Sequence, residues 1–150
     1  MCPPRAGGKE TMAMTRREAR EAVFELLFET EFKTDEAPRD IFALSTNHRD
    51  IEQDAYIHDV YFGVCEHKAE LDELINRHAK GWKTERISRV SRSILRLCVY
   101  ELCYCADIPA SVSINEAIEL CKKFDQEQAR AFLNGVLNGV KNELGEQKNG

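Results

Sequence analysis

The sequence predicts an all-α protein of about six or seven helices. Apolar residues recur at steps of three and four almost everywhere after residue 14, which is the spacing of one face of an α-helix. No stretch alternates apolar and polar residues in the way that a half-buried strand does. Two Asn-Gly pairs, at 134–135 and 138–139, ordinarily indicate hairpin turns, but the helical spacing from Leu133 to Leu144 continues through both.

The first helix is predicted to begin after Thr15. Glu18 follows three residues later, and this pair matches a capping box, in which each residue satisfies a backbone N–H of the other. Residues 33–50 are predicted to be a loop with one short helical turn after Pro38, because proline suits the first position of a helix. Two further helices are expected at about 51–67 and 69–78, before Gly81 breaks the pattern.

The clearest helical pattern covers residues 87–105, and Pro109 ends it because proline disfavours continuation of a helix. Ser113 and Glu116 form a second capping-box pattern that predicts a helix through residue 124, although Ser111 is an alternative cap.

A last helix is predicted over residues 126–144. It contains Gly135 and Gly139, and each glycine costs up to about 1 kcal/mol of helix propensity. We therefore expect the two glycines, four residues apart, to clear one face of this helix for close approach of another helix.

The length of 150 residues suits one domain with a self-sufficient hydrophobic core. We expect a disordered leader at 1–14, one helical domain at 15–145 and a disordered tail at 146–150. Within the domain, the break near Gly81 predicts two helical subdomains, at about 15–80 and 84–145.

The composition argues against several classes of protein. No apolar run is long enough to span a membrane, and the N-terminal residues lack the apolar segment of a secretion signal. The six cysteines contain no Cys-x-x-Cys pair, so we expect free thiols in a cytoplasmic protein and no metal site. No phosphate-binding loop, nucleophile elbow or zinc-protease motif is present, so neither catalytic residues nor a cofactor are predicted.

The net charge of −5 argues against a protein that coats nucleic acid, but the charge is unevenly distributed. Residues 1–20 carry +3 and residues 77–96 carry +6, so the rest of the chain carries −14. Two basic segments in an otherwise acidic protein favour a local site for a polyanion.

Arg16, Arg17 and Arg20 lie within one turn at the start of the first helix. Cations at a helix N-terminus oppose the helix dipole, and an anionic partner would offset that cost because the guanidinium fork matches phosphate. A merely solvated basic surface is the alternative interpretation.

A second basic ridge is predicted from Arg89, Arg92 and Arg96, which are spaced at three and four residues and follow Arg86. Such a ridge can bind a polyanion, or it can pair with acidic residues of neighbouring helices.

A third candidate is the beginning of the last helix, with Gln128, Arg130 and Phe132. Phe132 can be a core residue, which its helical spacing favours, or a platform on which an RNA base stacks beside Arg130.

Four stretches form a specific combination: RREARE at 16–21, SILRLCVYEL at 93–102, IPASVSINEAIEL at 108–120 and FLNGVL at 132–137. With these stretches the chain resembles the NusB family of bacterial transcription antitermination factors, from about residue 15 to residue 144. The resemblance implies an all-helical fold of two small helical bundles packed together.

The resemblance further implies binding of boxA, a short single-stranded RNA element of nascent ribosomal transcripts, together with the small-subunit ribosomal protein NusE. Other Nus factors and RNA polymerase are implied as indirect partners. The implied RNA-binding residues are Arg16, Arg17, Arg20, Arg92, Arg96, Gln128 and Phe132, and the implied partner contact is Phe28. Gln128 stands where an acidic residue is common in the family, and Glu18 stands where a third adjacent arginine is common.

Two other hypotheses remain at this point. One is a NusB-like RNA-presenting domain that assists a separate enzyme modifying ribosomal RNA. The other is a purely protein-binding helical module whose arginines contact acidic partners. The chain can be a monomer or a homodimer.

Overall fold

The computed structural model describes residues 14–49, 54–79 and 86–149. In these segments the chain forms seven α-helices and no strand, which confirms the all-α prediction. The helices are α1 (Arg16–Phe32), α2 (Pro38–Arg49), α3 (Ala55–Glu66), α4 (Lys68–His78), α5 (Arg89–Tyr104), α6 (Ala110–Phe124) and α7 (Ala129–Asn149). No helix of the described segments is both long and apolar enough to cross a bilayer.

The N-terminus of α1 has the capping box that the sequence predicts. The Thr15 hydroxyl accepts the backbone N–H of Glu18 at 3.0 Å, and the Thr15 N–H donates to the Glu18 carboxylate at 2.9 Å. Reciprocal bonds of this kind satisfy two of the free N–H groups at a helix start. The beginning of α1, and with it the position of the first arginines, is therefore fixed locally.

The prediction of a loop over residues 33–50 is wrong, because α2 is a helix of 12 residues rather than one turn. Its inner face consists of Ile41, Phe42 and Ser45, all of which are buried. A serine occupies one position of that face, so a search for apolar periodicity misses the stripe. The Phe42 ring stacks on Tyr61 of α3 with centroids 5.8 Å apart, and this contact anchors the short helix.

The second predicted capping box is also wrong. Helix α6 begins at Ala110 with Pro109 as N-cap residue and without a side-chain cap. The Ser113 hydroxyl instead donates to the buried carboxylate of Glu101, at 2.7 Å. A tertiary contact has thus taken the side chain that the local pattern assigned to a cap.

Helix α5 is central and packs against α1, α3, α4, α6 and α7. A single cluster of buried apolar residues runs through all of these helices. Helix α4 lies in the first predicted subdomain, yet it packs on α5 and α7 of the second. The two predicted groups of helices therefore share one core.

Helix α7 continues to Asn149, so residues 146–149 belong to a helix rather than to the predicted disordered tail. Of the predicted leader, only Met14 lies within the described residues, and residues 80–85, which include Gly81, lie outside them.

Of the two glycines that are predicted to clear one face of α7, only Gly139 has that role. A Cβ at residue 139 would lie 2.6 Å from Nδ1 of His78, so Gly139 allows α4 to approach α7 closely. A Cβ at residue 135 would meet no atom within 4 Å, so the prediction is wrong for Gly135.

We expect Gly135→Ala to raise the free energy of unfolding by about 1 kcal/mol, because alanine gains helix propensity in open space. Gly139→Ala is the matched control, in which contact with the His78 ring offsets this gain. Urea denaturation of both variants measures the difference, and an equal stabilisation by both would contradict the close approach of α4 and α7.

Candidate nucleic-acid interface

The three arginines at the start of α1 lie in different environments. Arg16 and Arg17 are exposed, whereas Arg20 is 5% exposed. Arg20 follows the buried Ala19 and lies one turn before the buried Val23 and Phe24, so its side chain enters the core side of the helix. Only the first two arginines are presented to solvent.

Arg20 forms a buried ion pair with Glu101 of α5. The Arg20 Nε donates to Oε2 at 2.8 Å and Nη2 donates to Oε1 at 3.2 Å. The hydroxyls of Tyr56 and Ser113 also donate to this carboxylate. Burial lowers the pKa of Arg20, but the hydrogen bonds and charge of Glu101 raise this pKa by more, so the net shift is upward. The network joins α1, α3, α5 and α6, so Arg20 has a structural role, and its contact with RNA stays a prediction.

Arg16 lies over the ring of Tyr56, with its guanidinium carbon 4.3 Å from the ring centroid. An arginine in this position is attracted by the electrons of the ring face. Because Tyr56 also donates to Glu101, the buried network holds the platform on which Arg16 rests. Sequence reasoning missed Tyr56, since no local pattern connects it to α1.

Arg17 lies in a groove between α1 and α6 and pairs with Glu116. Its Nε and Nη2 donate to the two carboxylate oxygens at 3.0 and 2.8 Å. In the same groove the Lys123 ammonium donates to Glu21 at 2.9 Å. The hydrogen bond and charge of Arg17 hold the pKa of Glu116 below its usual range.

Arg92 and Arg96 of the predicted basic ridge are tied into the protein. Arg96 is 7% exposed and donates to both carboxylate oxygens of Asp72, at 2.8 and 2.9 Å, and to Glu31 at 2.6 Å. Arg92 donates to the same Glu31 at 2.5 Å. Burial raises the pKa of Glu31, but the two arginines lower it more, so the net shift is downward. In the structure these two arginines form ion pairs with neighbouring helices, and their contact with RNA stays a prediction.

Of the candidate residues around the start of α7, only Arg130 lines a second groove. Gln128 is exposed and donates to the Gln126 side chain. Arg130 pairs with Glu127 at 2.9 Å and lines a groove between α6 and α7. Helix α6 is therefore the ridge between the groove of Arg17 and the groove of Arg130.

Phe132 is half-buried and packs against the hydrophobic core. The packing favours the core interpretation for this residue, and base stacking by Phe132 stays a prediction. Phe28 is also half-buried against the core, whereas Phe32, one turn later, is 58% exposed. The Phe28 and Phe32 rings are in edge contact, and Arg89 lies over the Phe32 ring at 4.7 Å. Phe32 and Arg89 thus form the exposed part of the surface around Phe28.

The five described cysteines are free thiols. Burial raises the pKa of Cys98 well above its ordinary value, and it raises the pKa of Cys103 and Cys105 to about 11. Within the described segments, no three His, Cys, Asp or Glu side chains are placed to hold a metal ion.

Residues 17–142 match the model of the NusB family. The transcription antitermination protein NusB of Bacillus velezensis is 44% identical over 131 residues, which cover 87% of this chain and 98% of the relative. The protein of the same description from Agathobacter rectalis is 45% identical over 128 residues, which cover 83% of this chain and 97% of the relative.

Two solved structures extend the comparison to the fold. The structure of T. maritima NusB has a TM-score of 0.78 and 36% sequence identity, and the match covers 88% of this chain and 94% of that one. A structure of antitermination factors NusB and NusE in complex with double-stranded RNA matches with a TM-score of 0.76 and 26% identity, over 85% of this chain and 96% of that one. By sequence along almost its whole described length and by fold, the chain belongs to the NusB family.

Proposed function

We propose that this chain is a transcription antitermination factor that binds a single-stranded, boxA-like RNA of nascent ribosomal transcripts together with ribosomal protein NusE. The observation that carries the proposal is the pair of exposed arginines, Arg16 and Arg17, at the first turn of a NusB-family helix. The names of the relatives, and the NusB–NusE–RNA complex among the similar structures, support the same function.

The proposed RNA face consists of Arg16, Arg17, Gln128 and Arg130. Single-stranded RNA is gripped mainly through its phosphates, while unstacked bases meet polar or aromatic groups. Arg17 and Arg130 line grooves on opposite sides of α6, so an RNA strand that reaches both crosses this helix. Arg20, Arg92 and Arg96 support the face from within the protein.

The proposed NusE surface is the end of α1 around Phe28, with Phe32 and Arg89 as its exposed groups. An exposed aromatic ring with an arginine lying over it is typical of protein interfaces, in which both residue types are enriched. The proposed role is that of a non-catalytic adaptor in the cytoplasm, where ribosomal RNA is transcribed in bacteria. Contact with RNA polymerase and the other Nus factors is indirect in this scheme.

Anisotropy titration of a labelled boxA-like RNA and a scrambled control, with and without NusE, tests the proposal. We expect preference for the boxA-like RNA and a gain in affinity with NusE, because each partner adds contacts for the other. If about three phosphates are neutralised, affinity falls with salt at a log–log slope of about −2. Equal affinity for both RNAs, without any gain in affinity from NusE, would contradict the proposal. It would favour the alternative of a purely protein-binding helical module.

Arg17→Ala is expected to weaken RNA binding by about three- to tenfold and to make the salt slope shallower by about 0.7. The reason is the loss of one phosphate contact. Arg89→Ala is the matched control, because Arg89 is an exposed arginine of α5 that lies over Phe32, at the end of α1 away from Arg17. Without NusE, the control should bind RNA as the wild type does, and full affinity in Arg17→Ala would move the RNA face elsewhere.

A further inference from the structure

We propose that Glu116 sets the RNA affinity of this protein, because its carboxylate competes with an RNA phosphate for the Arg17 guanidinium. The inference rests on the proposed function and concerns the same site. It adds a residue that acts against binding rather than for it.

The competition follows from the geometry of the pair. Glu116 occupies Nε and Nη2 of Arg17 together, at 3.0 and 2.8 Å. These two donors form one edge of the guanidinium fork, which is the edge that also fits two phosphate oxygens. A phosphate bound in the same manner must displace the carboxylate.

The two partners differ in how firmly they are held. The side chain of Glu116 is 14% exposed and that of Arg17 is 58% exposed. Glu116 lies on α6, which is packed against α5 and α7, whereas Arg17 lies in the first turn of α1. Arg17 is therefore free to turn outward to a ligand while Glu116 stays in the groove.

The other charges of the groove are neutralised in the same way. The charged residues that line the whole groove are four cations and three carboxylates: Arg17, Arg20, Lys122 and Lys123, with Glu21, Glu116 and Glu119. Lys123 is paired with Glu21, and Lys122 is paired with Glu119 at 3.4 Å. The groove thus presents much less positive charge to RNA than its basic residues suggest.

The size of the effect follows from the strength of exposed ion pairs. Such pairs are worth little, so removing the carboxylate is expected to raise RNA affinity by about two- to fivefold. A phosphate contact carries no sequence information, so the boxA-like and scrambled RNAs should gain by the same factor. The ratio of the two affinities should stay unchanged.

Glu116→Gln tests the inference, because it removes the charge and keeps the shape of the side chain. Glu119→Gln is the matched control: it makes the same charge change on the same helix and groove, at a residue that pairs with Lys122 rather than Arg17. We expect tighter RNA binding by Glu116→Gln and a clearly smaller gain by Glu119→Gln. Thermal melting should show no stabilisation in either variant, which separates the gain from an effect on folding.

The double variant Arg17→Ala/Glu116→Gln completes the cycle. When Arg17 is absent, Glu116→Gln should raise RNA affinity only a little. In the Arg17→Ala background the Glu116 carboxylate has no guanidinium for which it competes with RNA. An equal gain with and without Arg17 would overturn the inference, and so would equal gains in Glu116→Gln and Glu119→Gln. If the wild type binds RNA and Glu116→Gln binds no better, only this inference fails. If the wild type binds neither RNA, with or without NusE, the proposed function fails as well.

Discussion

Glu101→Ala is expected to lower the free energy of unfolding by about 3–5 kcal/mol. The Glu101 side chain is 1% exposed and accepts hydrogen bonds from Arg20, Tyr56 and Ser113. Its removal leaves the Arg20 guanidinium buried without a counter-charge, and a buried unpaired charge is among the most destabilising changes in a folded protein. Urea denaturation followed by circular dichroism measures the loss.

Glu119→Ala is the control for this experiment, because Glu119 is a half-exposed glutamate in a surface pair and should change stability by less than about 0.5 kcal/mol. Arg20→Leu/Glu101→Leu removes both charges of the buried pair. This double variant should lose less stability than Glu101→Ala, because no unpaired charge remains inside the protein. A loss of less than about 1 kcal/mol in Glu101→Ala would show that the network does not hold the four helices together.

Arg96→Ala is expected to lower the free energy of unfolding by about 3 kcal/mol or more. The change removes three charge-assisted hydrogen bonds, so Asp72 loses the Arg96 guanidinium and Glu31 keeps only that of Arg92 among the two. At a temperature where the variant is folded, its RNA affinity should stay within about twofold of the wild type, since Arg96 does not reach the surface.

The comparison of stability with affinity separates the two interpretations of the basic ridge. Arg89→Ala is the control on the same helix, and it should cost at most about 1 kcal/mol because the Arg89 guanidinium only lies on an exposed ring. A tenfold loss of RNA affinity in folded Arg96→Ala, with stability unchanged, would return Arg96 to the RNA face.

Much of the fold could be predicted because its causes are local. Thr15 and Glu18 form the expected capping box, and the predicted helix at 87–105 corresponds to α5. These features depend on residues within a few positions of one another. The errors occurred where a distant contact decided the outcome: α2 is held by Phe42 on Tyr61, and Ser113 bonds to Glu101 rather than to its own helix.

The candidate site was predicted in part for the same reason. Sequence alone brought out the basic residues and the family, and the comparisons confirmed the family. It could not decide which arginines are free, because their acidic partners lie far away along the chain. Arg20 meets Glu101 across 81 residues, Arg17 meets Glu116 across 99 and Arg96 meets Glu31 across 65.

The sequence by itself determined the helical class, the start of α1 at its local cap, the family and the uneven distribution of charge. These properties follow from residue type and short spacing, which the chain carries whether or not it is folded. Only the tertiary structure decided the use of each charge: Arg20 and Arg96 hold helices together, Arg16 rests on Tyr56, and Arg17 pairs with Glu116. The physical reason is that the energy of a charge depends on its burial and on the partners within a few ångströms, and folding alone sets both.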